Sequence, residues 1–174
     1  LHSFRFGFVP MTLRILTFNH HESYLCSLAA VGHEFDVVIK YDDLDLSWNV
    51  SSRSVPSNFT LVEFNDEIRR RLQKGYYDVV ICHTIKNLIW MWRYRKPRFV
   101  FVAHIPLFTM SALMSVKASF KKLIWQWFKK THRAKFFAVS HFKQESWGEA
   151  GTVAVLTPEE FPALKPLSGP SDIL

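Results

Sequence analysis

The chain has 174 residues, of which 48% are apolar, and a formal net charge of +7. This length and composition predict one globular domain and exclude a disordered chain, and no apolar run approaches the roughly 20 residues of a membrane span. Cys26 and Cys82 lie within apolar patterns, so we expect buried free thiols in a reducing compartment.

The two ends of the sequence are interpreted separately from its body. Residues 1–10 lack the pattern of a signal peptide and precede Met11, a natural start, so we expect them to be additional to the domain. Residues 11–160 carry the alternating strand and helix patterns of the domain itself. Residues 161–174 contain Pro, Gly and Ser and have the composition of a linker.

Strand-like and helix-like segments alternate along the chain. Strand patterns are found at residues 13–18, 36–40, 77–83, 98–104, 135–141 and 152–157. Helical patterns are found at residues 24–31, 59–75, 84–95, 109–133 and 142–148. Gly32 and Gly75 follow two of these helices, where a left-handed residue commonly ends a helix. This order predicts an α/β fold with a Rossmann-like parallel β-sheet and helices on both faces.

Polar residues rich in histidine follow the predicted strands. Ligands of parallel sheets bind beyond the carboxyl ends of the strands, so these residues are candidates for a site. The candidate substrate-binding residues are Asn19, His20, His21, His83, Thr84 and Ser140. Ser140 has a second interpretation, as the cap of the helix that follows it. Because His20 and His21 point to opposite sides of an extended segment, we expect no metal site.

The basic residues are unevenly distributed along the sequence. From Val79 to Gln144 there are thirteen Lys and Arg residues and no Asp or Glu, whereas the remainder of the chain carries more acids than bases. Such an asymmetry predicts an anionic surface or substrate as a partner.

The long helix predicted at residues 109–133 has two distinguishable sides. Seven apolar residues recur at helical spacing and are expected to pack on the sheet: Leu113, Val116, Phe120, Leu123, Ile124, Trp127 and Phe128. We expect Trp125 and five lysines to contact an anionic membrane surface: Lys117, Lys121, Lys122, Lys129 and Lys130. Two alternatives remain open, a solvated basic face with Trp125 in the core, and nucleic-acid binding, for which no sequence motif speaks.

Four segments resemble, in order, the N-terminal half of the family-4-type (group 1) glycosyltransferases with the GT-B fold. "LCSLAAVGHEFDVV" is similar to the first helix and second strand of that family, and "YDVVICH", "FVFVAH" and "FFAVSHF" are similar to its next three strands. The resemblance covers residues 13–157. It implies that residues 11–160 bind a sugar acceptor and that a separate C-terminal domain, after the linker, binds the nucleotide-sugar donor. It also implies transfer that retains the anomeric configuration without a bound metal.

The resemblance also assigns a catalytic role to His104. This residue matches the active-site histidine of the family, where a neutral imidazole can bind a hydroxyl group of the donor sugar and stabilise the transition state. Three features depart from the family: the donor-binding half is missing, the loop after the first strand has no glycine, and "TPEEF" follows the last strand. We therefore expect this chain alone to be inactive and to hold no cofactor of its own.

The sequence thus predicts the acceptor-side domain of a retaining, nucleotide-sugar-dependent glycosyltransferase. We expect it at the cytoplasmic face of a membrane, with a lipid-linked or cell-envelope glycan as acceptor. The alternatives are a non-catalytic α/β module that binds anionic lipid or nucleic acid through its basic and aromatic face, and a GT-B sugar-nucleotide epimerase. The absence of GxGxxG and of a Walker lysine loop disfavours a nicotinamide dehydrogenase or a P-loop enzyme.

Overall fold

The computed structural model describes residues 11–51, 53–107 and 112–153, with the backbone alone for residues 112–115. The strands of this part of the chain are β1 (Arg14–Phe18), β2 (Glu34–Tyr41), β3 (Leu44–Asp45), β4 (Phe59–Glu63), β5 (Val79–Cys82), β6 (Arg98–Ala103), β7 (Lys135–Ala138) and β8 (Thr152–Val153). Its helices are α1 (Glu22–Ala29), α2 (Asp66–Lys74), α3 (Ile85–Met91), α4 (Ala112–His132) and α5 (His141–Trp147).

All but one of the described strands pair in parallel within one sheet. β1 lies between β2 and β5, and β6, β7 and β8 follow β5 in chain order. β4 pairs in parallel with β2, and the short strand β3 pairs antiparallel with the end of β2. The chain therefore runs outward from β1 to β4 and then returns to place β5 on the other side of β1. This is the order of a doubly wound sheet, and it confirms the predicted Rossmann-like α/β fold.

Two apolar layers cover the sheet, because successive side chains of a strand point to opposite faces. Leu16 of β1 lies in a layer that includes residues of α2, α3, α4 and α5, in that order Ile68, Leu88, Trp125 and Trp147. Its neighbour Ile15 lies in the other layer, with Tyr24 and Leu25 of α1. Helices thus lie on both faces of the sheet, as the sequence predicts.

The prediction of one continuous helix over residues 59–75 is wrong at its beginning. Phe59–Glu63 forms β4, which pairs with β2 through Phe35. α2 begins only after Asn65, whose side chain accepts a hydrogen bond from the backbone N–H of Ile68 at 3.2 Å. Aromatic and β-branched residues favour a strand before this cap, and the asparagine fixes where the helix begins.

The expectation that the apolar stripe of α4 packs on the sheet is wrong for four of its members. These exposed residues are Val116, Phe120, Leu123 and Trp127. α4 instead buries Ala118 and Trp125, which lie on the opposite side of the helix, and Phe128, which lies between the two sides. Phe128 is therefore the member of the stripe that is buried as expected, Ile124 is half-buried, and the side chain of Leu113 lies outside the described residues.

Trp125 is fully buried, so its predicted contact with a membrane surface is wrong. The centroid of its ring lies 5.2 Å from that of Phe101 and 5.6 Å from that of Phe136. Its indole Nε1–H donates to the carboxylate of the buried Glu149 at 2.8 Å. Lys129, a second predicted membrane contact, is also directed to this carboxylate, at 2.5 Å. The indole is buried because its ring fills the apolar layer and its one polar group has an acceptor.

Several predicted segments extend beyond the described residues. The strand predicted at residues 152–157 is described only as β8, and the long helix predicted from residue 109 is described from Ala112 onward. Residues 1–10 and the predicted linker lie outside the described part of the chain. No described helix has both the length and the apolar character that spanning a membrane requires.

Candidate functional site

The switch point of the sheet lies between β1 and β5, where the chain departs in opposite directions. Asn19, His20 and His21 follow β1, and His83 follows β5. His104 follows β6, the next strand of the sheet. Doubly wound sheets bind ligands in the crevice at this point. The fold therefore brings the four predicted histidines to one edge of the sheet.

A row of hydrogen bonds connects Thr17 to His104 through His83. Thr17 Oγ1 lies 2.9 Å from His83 Nε2, and His83 Nδ1 lies 3.0 Å from His104 Nε2. The hydroxyl group of Thr17 donates to the carbonyl oxygen of Ile81 at 3.5 Å. Thr17 and His83 are buried, so these groups bond to one another rather than to bulk water.

Two arrangements of the imidazole protons satisfy these contacts, according to whether the hydroxyl group of Thr17 donates to Ile81 or to His83. In the first arrangement the oxygen of Thr17 accepts from Nε2–H of His83, whose Nδ1 is then unprotonated. That Nδ1 accepts from Nε2–H of His104. Nδ1 of His104 is left with a lone pair, to which a hydroxyl group of a ligand can donate a hydrogen bond.

His20 and His21 add two rings to the cluster from the loop after β1. The ring of His20 stacks on His83, with 5.9 Å between centroids and 13° between planes, and lies 5.1 Å from His104. The centroid of His21 lies 5.9 Å from that of His104. The predicted histidines of the site are therefore neighbours in space.

Burial lowers the pKa of three imidazoles of this cluster, those of His20, His83 and His104. It lowers the pKa of His104 to about 4, and the nearby His20 and His21 contribute to the same effect. The pKa of His83 lies well below its ordinary value, first because the ring is buried and then because His104 lies beside it. Burial and His21 also lower the pKa of His20. A neutral imidazole both donates and accepts hydrogen bonds, which suits uncharged hydroxyl groups.

An open cavity of about 730 Å³ borders the loop after β1. Asn19, nine-tenths buried, lines this cavity and donates from Nδ2 to the carbonyl oxygens of Leu46 and Ser47 at 2.8 and 3.2 Å. Its Oδ1 is buried and has no hydrogen-bond partner among the described residues. A buried acceptor without a partner costs about 1–3 kcal/mol, so a ligand that donates to it removes that cost.

A second cavity, of about 280 Å³, borders His83 and His104. Its lining is largely apolar and includes Phe101 and Trp147, and Lys121 of α4 also lines it. Since His20 and His21 line the larger cavity, the imidazole cluster stands between a polar space and a smaller apolar space.

Two residues of the cluster are missed by the sequence analysis, Thr17 and Tyr24. The ring of Tyr24 meets that of His104 edge to face, with 4.8 Å between centroids, and burial raises the pKa of its phenol group. Tyr24 fits the apolar stripe of α1, so nothing in the pattern distinguishes it from a core residue. The signal for Thr17 is a polar residue inside an apolar strand, close to its carboxyl end.

Thr84 and Ser140 are helix caps at the same edge of the sheet. The hydroxyl group of Thr84 accepts from the backbone N–H of Asn87 at 3.2 Å, and the side chain of Asn87 accepts from the N–H of Thr84 at 3.0 Å. The hydroxyl group of Ser140 accepts from the N–H of Lys143 at 3.4 Å. The second interpretation of Ser140 is therefore confirmed, and contact of either hydroxyl group with a substrate stays a prediction.

The loop after β1 differs from the phosphate-binding turn of dinucleotide enzymes. It has no glycine, and Glu22 occupies the first turn of α1, where its carboxylate accepts from the N–H of Asn49 at 2.6 Å. A carboxylate at a helix N-terminus opposes a phosphate at the same place. Within the described ranges, no group of three or more His, Cys, Asp or Glu side chains is arranged to hold a metal ion.

No family model and no curated protein matches the chain. Solved structures with a similar fold include UDP-glucuronic acid 4-epimerase from Bacillus cereus in complex with NAD, at 13% identity and a TM-score of 0.44 over 72% of this chain and 55% of the epimerase. They also include UDP-glucose 4-epimerase from Thermotoga maritima with UDP-glucose, at 12% identity and a TM-score of 0.43 over 72% of this chain and 54% of the other. The chain thus spans about half the length of these epimerases.

Proposed function

We propose that this chain is the acceptor-side domain of a retaining, nucleotide-sugar-dependent glycosyltransferase. The crevice at the switch point binds hydroxyl groups of the sugar acceptor, and the donor is bound by a second domain. The resemblance of the sequence to family-4-type glycosyltransferases supports the class of enzyme, and the polar lining of the crevice supports the class of ligand.

The observation that carries the proposal is the buried Oδ1 of Asn19, which has no hydrogen-bond partner among the described residues. Asn19 lines the larger cavity together with His20 and His21. Sugars offer several hydroxyl donors and acceptors at fixed spacing and carry no charge. They therefore satisfy a buried amide oxygen and neutral imidazoles without requiring an opposite charge.

His104 acts at the boundary of this crevice through its free Nδ1 lone pair. The row of hydrogen bonds from Thr17 through His83 holds the ring in place, and when Thr17 donates to Ile81 the ring presents an acceptor to a hydroxyl group. Such a preorganised group needs little rearrangement when charge develops on a transferring sugar. In this proposal His104 is the catalytic residue, and Thr17 and His83 are positioning residues.

Binding of the acceptor is tested on the chain itself by NMR. Titration with glucose, mannose or N-acetylglucosamine should shift the amide signals of Asn19 and His20. His104→Gln should weaken binding at least tenfold, since a hydrogen-bond partner is lost in a desolvated site. His33→Gln, at the amino-terminal edge of the sheet, should bind as the unchanged chain does. Shifts scattered away from the switch point would refute the sugar site.

Catalysis is tested on the protein joined to the residues encoded after Leu174. A Glu-x7-Glu pattern about a hundred residues downstream would agree with the proposed class. Nucleotide release from UDP- or GDP-sugars should increase with acceptor and should fall strongly in His104→Ala. Conversion of the sugar nucleotide to its epimer, without transfer, would replace the proposal by the epimerase alternative.

A further inference from the structure

Six large apolar side chains form one exposed surface on α3 and α4. They are between 45% and 73% exposed and will be called the α3–α4 surface: Ile89, Trp92, Val116, Phe120, Leu123 and Trp127. Exposed apolar residues scattered singly are normal, whereas a continuous group of this size marks a contact surface.

The α4 part of the surface points directly away from the core. Its four residues follow one another at intervals of four, three and four positions, which places them on one face of a helix. Trp125, which is fully buried, lies on the opposite face. Because the core side of α4 is already occupied, the exposed stripe is not an alternative packing face for the sheet.

The α3 part of the surface is joined to α4 by direct contacts. The centroid of Trp92 lies 6.4 Å from that of Trp127. His132 Nε2 donates to the carbonyl oxygen of Trp92 at 3.0 Å, and Arg95 Nη1 donates to the carbonyl oxygen of Thr131 at 2.9 Å. The end of α3 and the last turns of α4 therefore present the two tryptophans as one surface.

Basic residues alone accompany this surface in the sequence. Seven exposed bases lie on the same two elements or shortly after α3: Lys86, Arg93, Arg95, Lys96, Lys117, Lys121 and Lys130. No Asp or Glu occurs between Val79 and Gln144. Two copies of this surface would bring like charges together, which disfavours a symmetric dimer.

We propose that the α3–α4 surface docks on an anionic lipid bilayer. The indole rings of Trp92 and Trp127 lie at the level of the headgroups, and Phe120 and Leu123 insert below them. The bases at the margin contact lipid phosphates. The lipid-contacting residues differ from those expected from the sequence. Trp125 is buried and cannot contact lipid, and Lys129 forms an ion pair with Glu149.

The inference about docking does not rest on the proposed glycosyl transfer, because the exposed surface and its charge stand without it.

The apolar contribution is tested by flotation of the chain with lipid vesicles. The chain should float with vesicles of phosphatidylcholine and phosphatidylglycerol and remain behind with phosphatidylcholine alone. Phe120→Ser/Leu123→Ser should reduce the partition coefficient about tenfold or more, since two apolar side chains no longer leave water. Phe142→Ser/Val50→Ser, which changes two equally exposed apolar residues elsewhere, should bind as the unchanged chain does.

The electrostatic contribution is tested in the same assay. Lys117→Glu/Lys130→Glu should lower partitioning about thirty-fold or more, because each base near an anionic surface contributes favourably. Lys74→Glu/Lys135→Glu makes the same change in net charge outside α3 and α4 and should have a smaller effect.

Three results would overturn the proposal. The first is equal binding to vesicles with and without phosphatidylglycerol, and the second is full binding by the Phe120→Ser/Leu123→Ser chain. The third is a dimer in sedimentation that the same substitution dissociates, which would identify a second copy as the occupant. Sugar binding is measured separately and without lipid, so failure of one proposal leaves the other standing.

Discussion

Acidification should weaken the fold through the imidazole cluster. Burial lowers the pKa of His104 from 6.5 to about 4 in the fold. Between these values the unfolded chain binds more protons than the native chain, so stability rises with pH and is lost as pH falls. The loss begins near the unfolded pKa and is complete below the folded one. His83 and His20, whose pKa values are also lowered, add losses of the same sign.

The size of the His104 contribution follows from its pKa. For a ring fully shielded from water, proton linkage lowers the free energy of unfolding by roughly 2 kcal/mol between about pH 7 and pH 5. The ring is partly exposed, and solvent screening reduces this to about 1 kcal/mol. Urea unfolding followed by tryptophan fluorescence measures the free energy of unfolding at each pH. The unchanged chain should lose at least this amount over the interval.

Substitution of His104 isolates its share of the pH dependence. His104→Gln should shrink the stability difference between about pH 7 and pH 5 by about 1 kcal/mol. His33→Gln, which makes the same substitution at the opposite edge of the sheet, is the matched control. An identical pH dependence in the His104→Gln chain would show that the ring titrates as it does in water, and the neutral cluster would then be refuted.

Two further predictions concern packing. Glu149→Ala should lower the free energy of unfolding by about 2 kcal/mol, because the buried indole N–H of Trp125 loses its acceptor. Thermal unfolding measures this change. A decrease of less than about 0.5 kcal/mol would contradict the prediction. Gly151→Ala should cost more than about 2 kcal/mol, because the new Cβ would lie 2.7 Å from Phe136 Cδ1. Gly32→Ala, with φ of +70° but open space around it, should cost only about 1 kcal/mol, and equal losses in the two glycine variants would refute the steric argument.

The alternation of elements could be predicted because each strand is a short apolar run bounded by polar residues. The proximity of His83 and His104 follows from the same reasoning, since each ends one of two neighbouring parallel strands. The order of the strands across the sheet cannot be predicted from any local sequence pattern. The return of the chain from β4 to β5 places His20 beside His83, and this contact depends on pairings between distant segments.

The orientation of α4 could not be predicted from periodicity. The helix carries apolar residues on two opposite faces, and a period of 3.6 residues does not say which face is buried. The choice depends on Glu149, 24 residues after Trp125, which provides the acceptor for the indole. Once Trp125 faces the core, Val116 and Phe120 face outward, although the apolar stripe to which they belong has the more regular helical spacing.

The row from Thr17 through His83 to His104 has a polarity that can be inverted without any change in net charge. If the hydroxyl of Thr17 turns from the carbonyl oxygen of Ile81 toward His83, each link exchanges its donor and its acceptor. His104 would then offer a proton where it had offered a lone pair. Rotation of one buried hydroxyl group, that of Thr17, would thus let His104 act either as a hydrogen-bond acceptor or as a hydrogen-bond donor toward a reacting group.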